Sequence, residues 1–243
     1  MLAPPEHFGI VEDDVYRCTE IDPLNFPFLQ TLSLKTILSI GQQKPSPAVD
    51  LFARENNISI KHMKLPSWKI SEEEWKLLPD KVAEASLSYV LNIKNYPILI
   101  IDLSCTFIGV LRKLEHWTLS SIINEYREIS FDRSQYLYEL YIEMVDLSKI
   151  SIPRLRLAAD PASQSSLDST SSCRTYNGAT VTIDFDRLPQ SLDILPASPP
   201  DEQAEESSDW KSFPIDLLPA WYIESECMWL DDMARYQRAA NST

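Results

Sequence analysis

The stretch "NYPILIIDLSCTFIGVLRKLEHW", residues 95–117, reads as a buried strand, a tight connection and a helix. "PILII" (97–101) is a short apolar run of the kind that fills an interior strand. "TFIGVL" (106–111) is mostly apolar and suits a helix lying on a sheet, with Gly109 permitting a close approach. Asp102 falls at the strand-to-helix turn, where a side-chain oxygen accepts from the exposed N–H groups of a helix start. The helix is therefore expected to begin near Leu103 or Ser104.

Working outward, residues up to about Ile150 alternate short β-rich runs with helical patterns, as an α/β domain requires. "VYRC" (15–18), "KTILSI" (35–40) and "ISIKHMKL" (58–65) join "PILII" as strands. Ser71 and Glu74 form a capping box, followed by Trp75, Leu78, Val82, Ala85 and Tyr89 at helical spacing; Pro79 splits this into two helices. Asp132 and Gln135 make a second box-like start. Leu137, Leu140, Tyr141 and Met144 then define a last domain helix over roughly 133–147.

Beyond Ile150 the periodicity fades. "AADPASQSSLDSTSSC" and "PASPPDEQAEESSDW" are Pro/Ser/acidic stretches that bury too little apolar surface to offset chain ordering. The expected organisation is a domain over 1–150 and a low-complexity acidic tail over 151–243, largely disordered, with an aromatic-rich segment at 210–238. From residue 151 onward there are 7 basic and 15 acidic residues, a net charge of -8, so over half of the overall -14 lies there. Trp210, Trp221, Tyr222 and Trp229 in that segment suit either a partner-docking helix or packing back onto the chain's own domain.

The net charge of -14 repels phosphate backbones and anionic membrane surfaces, which argues against nucleic-acid binding. The apolar stretches fall far short of the roughly 20 residues that span a bilayer. Cys18, Cys105, Cys173 and Cys227 show no C-x-x-C spacing and follow no secretory signal, so reduced thiols in a cytoplasmic protein are expected. His7, His62 and His116 match no ligand spacing. No metal and no cofactor are expected.

"PPEHFGIVEDDVYRCTEIDPLNFPFLQTLSLKTILSI" (4–40) resembles the plant and fungal atypical dual-specificity phosphatases, whose fungal branch includes the OCA (oxidant-induced cell-cycle arrest) proteins. Pro4-Pro5, Phe8, Val11, Val15 to Arg17, Asn25 to Leu29 and Leu34 to Ile37 carry the likeness. "YPILI" (96–100), "GVLRKLEHW" (109–117) and "INEYRE" (123–128) extend it to about residue 148. The resemblance implies a cysteine-phosphatase fold, a central, mostly parallel sheet flanked by helices. It also implies activities such as phosphotyrosine and inositol pyrophosphate hydrolysis, and a link with stress and cell-cycle responses.

In that family the strand equivalent to "PILI" is followed by His-Cys-x5-Arg. The spacing lets backbone N–H groups ring a thiolate while the arginine grips the phosphate. Here Ile101 and Asp102 follow the strand, and six residues separate Cys105 from Arg112. Cys105, Arg112 and Asp102 are thus weak catalytic candidates: Cys105 reads as a buried structural thiol, Arg112 as lying about two turns along the helix, and Asp102 as a cap. Lys64, Lys69 and Lys76 flank the segment that covers the family's site; they read as solvated lysines on an edge, or as groups that attract a phosphorylated ligand.

These departures lead to the expectation of a catalytically inactive pseudophosphatase, a regulatory or interaction subunit pairing with related phosphatase-family proteins. Two alternatives stand beside it. One is an active tyrosine or inositol pyrophosphate phosphatase, for instance if codons near 100–106 have been dropped from the sequence; the other is a non-catalytic inositol phosphate sensor.

Overall fold

The computed structural model describes residues 2–66, 77–131, 134–157, 174–176, 179–183 and 213–240. The chain divides into two units, Met1–Leu147 and Ser148–Thr243. In the first, β1 (Gly9–Glu12), β2 (Val15–Cys18), β3 (Thr36–Gly41), β4 (Ser59–Lys64) and β5 (Ile98–Asp102) form one sheet in the order β1-β2-β5-β3-β4. β1 runs antiparallel to β2, and the other pairings are parallel. This is the mostly parallel α/β sheet that the sequence led us to expect.

β5 lies between β2 and β3. Leu99 is level with Tyr16 on one side and Ile37 on the other. Because side chains alternate along a strand, Ile37 and Leu99 point to one face. They pack there with Leu29 of α1 (Phe26–Thr31) and with Val49, Phe52 and Ala53 of α2 (Pro47–Glu55). Leu38, Ile98 and Ile100 take the opposite face and are fully buried. On that side α3 (Asp80–Val90) lies against β3 and β4, and α4 (Thr106–Leu114) against β5. Behind α4 stand α5 (Leu119–Ser130) and α6 (Tyr136–Met144).

Local chemistry fixes several boundaries. Ser46 caps α2 by accepting from the Val49 N–H, with Pro47 as the first helical residue. Thr118 caps α5 through Ser121. Pro79 stands at the N-cap of α3, as expected of a residue that starts a helix but cannot continue one. The apolar stripe of α3 differs from the expected one: Ala83, Ser86, Leu87 and Val90 are buried, while Val82, Ala85 and Tyr89 are half-buried. Tyr89 instead receives the Lys61 ammonium over its ring at 5.2 Å. The expected box at Ser71 and Glu74, with Trp75, lies outside the described residues, as does Asp132.

The last helix of this unit is shorter than expected. Its N-cap, Gln135, makes no side-chain capping bond, and Met144 at its end is exposed. In the second unit, β6 (Leu155–Leu157), β8 (Ala179–Ile183) and β7 (Arg174–Tyr176) form an antiparallel sheet in that order, and α7 (Ala220–Ala240) contacts β6. The helix falls in the aromatic-rich segment. No described helix is long and apolar enough to cross a membrane.

Candidate active site at the carboxyl end of the sheet

Only Leu103, Ser104 and Cys105 connect β5 to α4. The helix starts at Thr106, two to three residues later than expected, because Asp102 organises the connection as well as the helix end. One of its carboxylate oxygens accepts from the Ser104 N–H at 3.0 Å and the Ser104 hydroxyl at 2.7 Å. The other accepts from the Phe107 N–H at 2.8 Å. Burial raises the Asp102 pKa, and these hydrogen bonds oppose the shift.

Cys105 occupies the N-cap of α4 in a left-handed conformation, φ 57°. It is 2% exposed, and its thiol donates to the Asp102 carbonyl. Arg112 points elsewhere. Its guanidinium is held by Glu12 at 2.8 Å, Glu115 at 2.8 Å and Glu125 at 2.9 Å, donates to the Val11 carbonyl, and lies over the Trp117 ring at 4.3 Å. Cys105 and Arg112 therefore do not converge on one anion.

One arginine serving three carboxylates makes an uneven cluster. Burial opposes the Arg112 charge, but the hydrogen bonds and charges of Glu125 and Glu115 outweigh it and raise its pKa. Glu115 is pushed up to about 7, first by burial and then by the like charges of Glu12 and Glu125; its contacts with Arg112 recover only part. Sequence reading missed this cluster. Arg112 and Glu115 at i,i+3 were a local signal for it, but nothing local announces Glu12, a hundred residues away in sequence.

The parallel strands end on the same side of the sheet. α2 leaves β3 toward one face and α4 leaves the adjacent β5 toward the other, so the loops after these two strands part. In open α/β sheets such a divergence forms the ligand crevice. The β5–α4 turn and residues 42–46 border it. On β4, Lys64 is exposed beside this end; Lys69 and Lys76 lie outside the described residues. Among the described residues, no group of three or more His, Cys, Asp or Glu side chains could hold a metal.

The expected docking side chains separate. Trp210 lies outside the described residues, and Trp221 and Trp229 are half-buried on α7. Tyr222 is 0% exposed, donates its hydroxyl to the Pro153 carbonyl and has a raised pKa through burial. It is an internal support of its own unit and cannot serve as a docking surface.

The strand–turn–helix at the crevice, on a sheet of this order, is the framework of a cysteine-phosphatase-type protein. Residues 2–163 match the family model described as the tyrosine phosphatase family, and the chain belongs to that family. It is similar to Protein OCA4 of Saccharomyces cerevisiae, 30% identical and covering 60% of this chain and 56% of that protein. It is also similar to inositol diphosphatase DSP4 of Arabidopsis thaliana, 28% identical over 62% of this chain and 77% of that one. Among solved structures, the core catalytic domain of the PP-IP phosphatase Siw14 from Saccharomyces cerevisiae matches with a TM-score of 0.55. That match has 29% identity and covers 60% of this chain and 90% of that chain.

These relatives correct the expectation of a catalytically inactive scaffold. DSP4 and Siw14 are named as phosphatases, and their similarity to this chain points to an enzyme. The unusual spacing around Cys105 is a departure in the site and does not establish inactivity.

Proposed function

We propose that the chain is a phosphatase of the inositol-pyrophosphate type, releasing phosphate at the crevice beside the β5–α4 turn. The observation that carries this reading is the similarity of the first unit to the Siw14 catalytic domain and to an inositol diphosphatase. The position of the turn supports it: the site lies at the carboxyl ends of parallel strands, where open α/β sheets bind their ligands. Cys105 is the thiol at that turn. To act as nucleophile it must lose its proton and turn out from the Asp102 carbonyl.

The test is phosphate release by the full chain from a diphosphoinositol pentakisphosphate and, separately, from a phosphotyrosine peptide. Release from the diphosphoinositol substrate is expected. A Cys105→Ser variant that loses turnover while keeping its melting temperature assigns the thiol as the attacking group. No release from either substrate by the wild-type chain would overturn the proposal.

A further inference from the structure

We propose that Lys44, His62 and Lys64 form a cationic rim on the β3–β4 side of the crevice that grips phosphates other than the one removed, selecting multiply phosphorylated substrates over singly phosphorylated ones. This deepens the reading above and rests on it. The placement follows from register. Ser39 is level with His62 and Gly41 with Lys64 on the adjacent strands β3 and β4. Ile60 packs into the core beneath α2, so alternation places His62 and Lys64 on that same face, toward the strand's carboxyl end. His62 Nδ1 lies 3.4 Å from the buried Ser39 hydroxyl, which fixes the ring. Lys44 follows three residues after the end of β3 and is exposed, as is Lys64.

Two ammonium groups act on the same imidazole. Among the described residues, the histidine proton is disfavoured first by burial and then by the charges of Lys44 and Lys64. In a chain of net charge -14, this gathers basic side chains beside the crevice. A lysine is a mobile point charge on a long stem and accepts a phosphate from many directions, as suits a ligand bearing several. Two strand spacings, roughly 10 Å, separate β5 from β4. A phosphate-bearing ring can bridge that gap, whereas a single phosphate at the turn cannot reach the rim.

The test uses myo-inositol hexakisphosphate as a probe, with titration calorimetry on the full chain. Reversing both rim lysines, Lys44→Glu with Lys64→Glu, is expected to weaken binding at least tenfold. A control reversal of two exposed lysines at the opposite end of the sheet, Lys35→Glu with Lys94→Glu, should leave it within about twofold, which separates a site from the general effect of net charge. His62→Gln, keeping a ring-sized polar group, should weaken it less than the double reversal does. A rim reversal that leaves affinity within twofold of wild type, or that matches the control, overturns the rim. Phosphate release with unaltered affinity in the rim variant sinks the rim and leaves the phosphatase. Lost affinity in the variant, with no phosphate released by wild type, sinks the phosphatase and leaves the rim.

Discussion

At Glu115, three carboxylates compete for one guanidinium in a mostly dry setting. The side chain titrates near 7 when folded, against 4.5 for an ordinary glutamate. Between those pH values the folded chain holds a proton that the unfolded chain has released. The stability this supplies is complete below about 4.5 and is lost as the pH climbs through 7. The shift corresponds to on the order of 3 kcal/mol. Urea unfolding from pH 4.5 to 7.5 should therefore show a steeper decline for wild type than for Glu115→Gln, which mimics the protonated form. Equal slopes would show that Glu115 does not hold its proton. The i,i+3 pairing of Glu115 with Arg112 is visible locally, but its crowding is not, because Glu12 and Glu125 come from two other elements.

The packing of α4 on α6 turns on Gly109. A Cβ added there would stand 2.7 Å from Ile142 Cδ1 and 2.8 Å from its Cγ1, and Ile142 is wholly buried. Alanine would gain about 1 kcal/mol of helix propensity over glycine. Overpacking costs about 1–3 kcal/mol. Gly109→Ala should thus destabilise by up to about 2 kcal/mol, and less in an Ile142→Val background, which removes Cδ1. A double-mutant cycle in urea measures that coupling, and additive effects would show that α6 simply moves aside. Gly109 was legible as a close approach, although its partner helix was not.

Elements with an unbroken apolar run were equally plain, β3 and β5 above all, since both faces of each are covered. β1 was not recognised: it is a four-residue edge strand whose Ile10 is 69% exposed, so no buried run marks it. The three short strands of the second unit escaped because "RTY" is too short to show alternation, and "ATVTI", although it alternates Val181 and Ile183 with threonine, stands between Ser/Pro/acidic stretches that set the reading of the region. The carboxyl-end crevice was half legible. Asp102, Cys105 and Arg112 were marked by their place around the turn. The direction in which Arg112 points depends on Glu12 and Glu125, which only the folded chain brings near.

For the molecule as a whole, sheet order matters more than any single contact. β2 and β3 do not touch each other through hydrogen bonds; β5 joins them. A fragment of residues 1–96, which lacks β5, should show no cooperative unfolding transition, whereas residues 1–147 should unfold cooperatively. Circular dichroism during urea titration distinguishes the two, and a cooperative 1–96 fragment would mean that the β3–β4 half is stable alone. On the ribosome, some 61 residues are added between the end of β3 and the end of β5. At bacterial or eukaryotic elongation speeds that is roughly 3–12 s. Throughout that interval β2 and β3 of the nascent polypeptide lack their shared neighbour and keep open hydrogen-bonding edges, the condition in which chaperones find clients and neighbouring chains find each other.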